Sequence, residues 1–124
     1  MRAADAAEKV SRAQPELLQT HKRELIGLLA QTQQAELRWH LSAMVPRLHL
    51  SANERKGAAD AFEDFLNDRS SIVKTFALQA LADLAAKDPS LLAGVVERLR
   101  QATRTGTPAM KARSRKLLTA LELP

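Results

Sequence analysis

Three histidines, fourteen carboxylates and no cysteine set the chemistry open to this 124-residue chain. Without cysteine, disulfides, thiol nucleophiles and thiolate-held metals are excluded. His21, His40 and His49 stand in no metal-ligand spacing. Glu36 and His40 lie four apart, which puts them on one helix face. Two ligands fall short of a zinc site, so a solvated helix pair is the expected role. Asp60, Asp64 and Asp68, with Glu63 alongside, share another helix face. Carboxylates so spaced could hold a cation or exchange protons, and an acidic solvent-facing stripe is the commoner outcome. There is no glycine-rich phosphate loop, no Gly-x-Ser-x-Gly elbow and no His-Glu-x-x-His. These residues make no catalytic set. We expect no enzyme, no metal and no cofactor.

Binding chemistry is better represented. Arg38-Trp39-His40 is the most unusual local cluster, and Trp is enriched among interface hot spots. Burial between packed helices is its alternative role. The formal net charge is +5, and it is uneven. From Arg98 to Lys116 there are seven basic residues (Arg98, Arg100, Arg104, Lys111, Arg113, Arg115 and Lys116) and no acidic one. Between Gly57 and Glu97 three basic residues face seven acidic ones. A basic end of this kind attracts an acidic protein surface or nucleic acid, or serves as a solvated cap. Cations near the start of the final helix oppose its dipole, which favours a reason beyond solubility. The candidate partner-binding set is therefore Arg38, Trp39 and these seven cations. A protein partner is expected, acidic by charge complement, with nucleic acid as the alternative.

The elements that must position these residues are helical. Ala and Leu dominate, β-branched residues are few, and only four Gly and five Pro occur. Apolar spacing and end signals mark seven helices. The first covers Ala3–Ala13. The second opens at Gln14-Pro15 and carries Leu17, Leu18, Leu25, Leu28 and Leu29 inward. The third runs from about Gln34 to Leu48 after Thr32, with Pro46 near its end. Ser51-Ala52-Asn53-Glu54 is a capping box that starts the fourth. The fifth buries Ile72, Val73, Phe76, Ala77, Ala80, Leu81 and Leu84. Asp88-Pro89 opens the sixth and Gly106-Thr107-Pro108 separates it from the last. Short junctions imply antiparallel neighbours in a single domain over residues 1–124. The start of the chain, Met1 to Arg12, is charged and lacks the apolar core of a signal peptide. No apolar run is long enough to span a bilayer. A cytoplasmic protein with no membrane partner is expected.

An apolar-basic dipeptide recurs at Leu37-Arg38, Val73-Lys74 and Met110-Lys111, spaced by 36 and 37 residues, and Met1-Arg2 lies another 36 upstream. Gln14-Pro15-Glu16-Leu17-Leu18 and Asp88-Pro89-Ser90-Leu91-Leu92 match at an offset of 74. Periods of this size mark stacked repeats. The stretch from Asp68 to Lys74, continuing through Ala77, Ala80, Leu81 and Leu84, resembles the HEAT-repeat family. The resemblance implies a short right-handed α-α superhelix, a solenoid of about 3.5 repeats, whose acidic and basic positions (here Asp68 and Lys74) ladder between neighbouring units. Thr32 and Thr105 stand where the other acids would be, so one rung is expected.

Overall fold

The computed structural model describes residues 15–121. The expected first helix and Met1-Arg2 lie outside the described residues. A 3-10 segment, Pro15–His21, runs into α1 (Lys22–Gln31). It is followed by α2 (Ala35–Met44) with a 3-10 turn at Val45–Arg47, α3 (Ala52–Phe65) and α4 (Ser71–Lys87). A second 3-10 turn, Pro89–Leu91, leads into α5 (Leu92–Thr105), and α6 spans Pro108–Leu121. The described residues contain no strand.

Local chemistry accounts for most of the boundaries. The Ser51 hydroxyl accepts from the Glu54 amide at 3.1 Å, and the Glu54 carboxylate accepts from the Ser51 amide at 2.7 Å, so α3 starts on a complete capping box. Ser70 caps α4 by accepting from the Val73 amide. Asp88 accepts from the Ser90 amide at the turn that opens with Pro89. The expected third helix ends earlier than its apolar spacing suggests. Pro46 has no amide hydrogen to donate, and the chain tightens to 3-10 geometry at Val45.

α4 lies at the centre. It packs against α2, α3, α5 and α6, while α5 and α6 pack on each other and α1 reaches α3. Eight of its side chains are buried, four of them alanines that let neighbouring backbones approach closely. Phe62 and Phe65 of α3, Leu41 and Met44 of α2 and Leu99 of α5 complete the core. Two side chains expected inward are not. Leu28 is 45% exposed and Ile72 is 55% exposed. Leu18 and Leu29 supply the buried side of the 3-10 segment and α1, and Leu28 lies beyond the strip its neighbours cover. Ile72 precedes Val73 by 100° of helix turn, and the core takes Val73.

Charged pairs join sequence-distant segments. Lys22 donates to Glu54 at 3.1 Å, Arg38 to Asp68 at 2.8 Å and Arg55 to Asp88 at 3.0 Å, with separations of 32, 30 and 33 residues. Of the three, Arg38–Asp68 is the pair in the dipeptide register, and it makes Arg38, not Lys74, the hydrogen-bonded partner of Asp68. Asp68 sits in the turn before α4, within reach of the first turn of α2. Lys74 acts on it through charge alone.

Candidate partner-binding face

Ile72, Phe76, Gln79 and Asp83 follow one another along α4 at intervals of four, three and four residues, which makes them one stripe. Neighbouring helices attach to it from both sides. Trp39 of α2 lies against Phe76 with ring centroids 5.1 Å apart, and it stacks on His40 at 3.8 Å. Arg113 of α6 donates to the Gln79 side-chain oxygen Oε1 at 2.8 Å. The Gln79 amide in turn donates to Asp83 at 2.9 Å. Trp39 and Arg113, 74 residues apart, are thus tied to adjacent turns of the same helix. Trp39 and Phe76 are half-buried, and Ile72 adds an exposed aliphatic group one turn along.

Burial pushes the Asp83 carboxyl above its ordinary range, against the Gln79 hydrogen bond and the charges of Lys87, Arg47 and Arg113. Its folded-state affinity for a proton exceeds its unfolded one. The ionised group therefore costs stability above the folded pKa, and that cost disappears as pH falls below it. Asp83→Asn keeps an acceptor for Gln79 and removes the desolvated charge. Its melting temperature at pH 7 should exceed that of the wild type, with the gap closing in acid. A lower melting temperature at pH 7 would show that the three cations outweigh desolvation.

The other candidates are dispersed. Arg38 is committed to internal bonds: besides Asp68 it donates to the Thr32 carbonyl at 3.1 Å and lies 4.8 Å from the centre of the Phe65 ring. Arg98 bridges Glu63 of α3 at 2.7 Å. Arg100 and Arg104 occupy the exposed side of α5, and Lys111 is half-buried at the start of α6. Arg115 and Lys116 are exposed farther along α6. The sequence cluster of seven cations is therefore divided over several faces, and Arg113 is the member that reaches the α4 stripe. Ile72, Phe76 and Gln79 were not among the sequence candidates. Their signal was hidden because α4 is apolar around most of its circumference, so a binding stripe and a core stripe have the same spacing.

His40 is buried, its Nδ1 has no hydrogen-bond partner, and its Nε2 stands 3.9 Å from the Glu36 carboxylate. No group of three His, Asp or Glu close enough to hold a metal ion occurs among the described residues. None of the described helices is long and apolar enough to cross a membrane. The chain matches no protein-family model, no curated protein and no solved structure.

Proposed function

We propose that the chain is a short α-solenoid of HEAT-like units that works as a non-catalytic protein-binding module, with the α4 stripe as its contact surface. The observation that carries this reading is the convergence of Trp39 and Arg113 on Phe76 and Gln79 beside exposed Ile72. An apolar centre with a cationic flank suits a partner that presents an apolar side chain next to an acidic one. The solenoid part draws support from the α2–α4–α6 row of contacts and from the three ion pairs at separations of 30 to 33 residues. Each unit then meets mainly its neighbours. Nucleic acid binding through the basic end is the rival reading.

A photo-crosslinking residue placed at Ile72 tests it, with the same residue at exposed Ala52 of α3 as the control. A protein adduct should form at position 72 and be competed by unlabelled chain. Binding of that partner should fall about tenfold or more in Ile72→Asp and in Arg113→Glu, the scale of a hot-spot loss, and stay unchanged in Arg104→Glu. All three sites are exposed, so the fold should persist. Nucleic-acid adducts without protein, or full affinity in both stripe variants, would overturn the proposal.

A further inference from the structure

The Arg38–Asp68 pair has a counterpart position that is incomplete. Lys74 follows Arg38 by 36 residues and Thr105 follows Asp68 by 37. Thr105 has no carboxylate, and its hydroxyl turns back to donate to the Gln101 carbonyl of its own helix at 3.1 Å. Asp68 reaches Lys74 through charge alone. One of its oxygens accepts from Arg38 at 2.8 Å and the other from the Ser70 amide at 2.8 Å. Where the rung would be, there is a groove of about 280 Å³ that Lys74 and Thr105 both line. Leu66, Leu78, Ala102 and Met110 line it beside the polar Asn67, Gln101 and Thr107. Arg98 stands at its rim, its charge partly offset by the bridge to Glu63.

We infer that this groove receives a side-chain carboxylate from a docked polypeptide and so completes at Lys74 the ion pair that Thr105 cannot make. The preceding unit shows that the position takes a carboxylate. Lys74 is half-buried, and a carboxylate in the groove would give its ammonium a charge partner there. The mixed lining offers apolar side chains to the methylenes of a Glu side chain, which an inorganic anion lacks. The source of the carboxylate rests on the protein-binding reading above, but the groove shares no residue with the α4 stripe.

The test uses the full chain, isotopically labelled for amide NMR, and N-acetyl-glutamate N-methylamide as the probe, with inorganic phosphate in parallel at matched ionic strength. Saturable shifts of the Thr105, Gly106 and Thr107 amides should appear with the blocked glutamate at millimolar concentration and be lost in Lys74→Met, which keeps the aliphatic stem. Thr105→Asp should fill the rung from within. It should melt a few degrees higher than the wild type and show no response to the probe. The inference is overturned by no response in the wild type, by an undiminished response in Lys74→Met or Thr105→Asp, or by equal saturation with phosphate. A partner that crosslinks at Ile72 while leaving the Thr105–Thr107 amides unmoved would overturn the groove and leave the stripe standing.

Discussion

Arg38→Ala is expected to lower the melting temperature by about 12 °C, from a loss of about 3 kcal/mol at about 4 °C per kcal/mol for a chain of this size. The side chains of Arg38 and Asp68 are only 13% and 12% exposed. Removing the guanidinium leaves the Asp68 carboxylate without its charged partner, uncovers the Phe65 ring and orphans the Thr32 carbonyl before α2. Breaking one side of a buried pair costs about 3–5 kcal/mol, and the residual exposure places this case at the lower end. Two further variants separate the contributions. Arg38→Met keeps the stem over Phe65 and removes the charge. Pairing it with Asp68→Asn removes the orphaned charge as well, so the double variant should be more stable than the sum of the single losses predicts. Strict additivity would mean that the pair is not coupled and that Arg38 acts through packing alone.

The same pair predicts how the loss varies with pH. The Ser70 amide holds the Asp68 carboxyl below its ordinary value of 3.8, with the Arg38 hydrogen bond and charge adding to it against burial. A lowered folded-state pKa means that stabilisation is fully present above the unfolded value and is lost as pH falls through the folded one. The gap between wild type and Arg38→Ala should therefore be constant near neutrality and narrow below 3.8. Asp88, held down first by the Ser90 hydroxyl and then by Arg55, and Glu54, held down first by the Ser51 amide and then by Lys22, change in the same direction. These three carboxylates, each linking distant segments, weaken together in acid. Melting curves at pH 7, 5 and 3 test this, and a gap that widens in acid would reverse the sign.

Much of this scaffold was legible in the sequence. Ser51 with Glu54, Ser70, Asp88 with Pro89 and Pro46 all mark helix ends through chemistry that acts within four residues, and those ends stand close to where they were expected. The ion pairs were harder to read. The dipeptide repeat measures distance within one kind of position, whereas Arg38, Arg55 and Lys22 reach segments 30 to 33 residues farther along, and two of them lie outside the dipeptide register. The basic cluster is spread over several faces for a related reason. Neighbouring cations on α5 and α6 are contiguous in sequence, but each residue turns 100° from the last, so Arg98 meets α3, Arg104 faces solvent and Arg113 meets α4. The α4 stripe was hidden by its own surroundings. Phe76 and Ile72 have the composition of a core, and only the positions of Trp39 and Arg113 on the neighbouring helices show that this side of α4 is left partly uncovered.

Gly106→Ala should cost about 2 kcal/mol, or about 8 °C, at a position where the backbone conformation gives no reason for glycine. Gly106 has φ −78° and ψ 175°, which any residue adopts. The constraint is space. An added Cβ would lie 2.6 Å from the Ala102 carbonyl oxygen and 2.9 Å from the Met110 Cβ. Neither neighbour can swing away. The Ala102 oxygen accepts the Gly106 amide at 2.9 Å, and the Met110 Cβ is fixed by the first turn of α6. Relief requires opening the α5–α6 turn, which would lift buried Met110 and strain the Ser71–Thr107 hydroxyl contact at 2.7 Å. Overpacking of this kind costs about 1–3 kcal/mol, and the stiffer unfolded chain returns less than about 1 kcal/mol of it. Gly57 and Gly94 lie inside helices, and a Cβ at either meets nothing within 4 Å. Alanine there should raise stability by about 0.5–1 kcal/mol. The three substitutions are chemically identical, so opposite signs would isolate the close approach of α5 and α6 as the cause. A Gly106→Ala chain as stable as Gly57→Ala would show that the turn beside the Lys74 groove yields, and that the groove is not held open by a rigid wall.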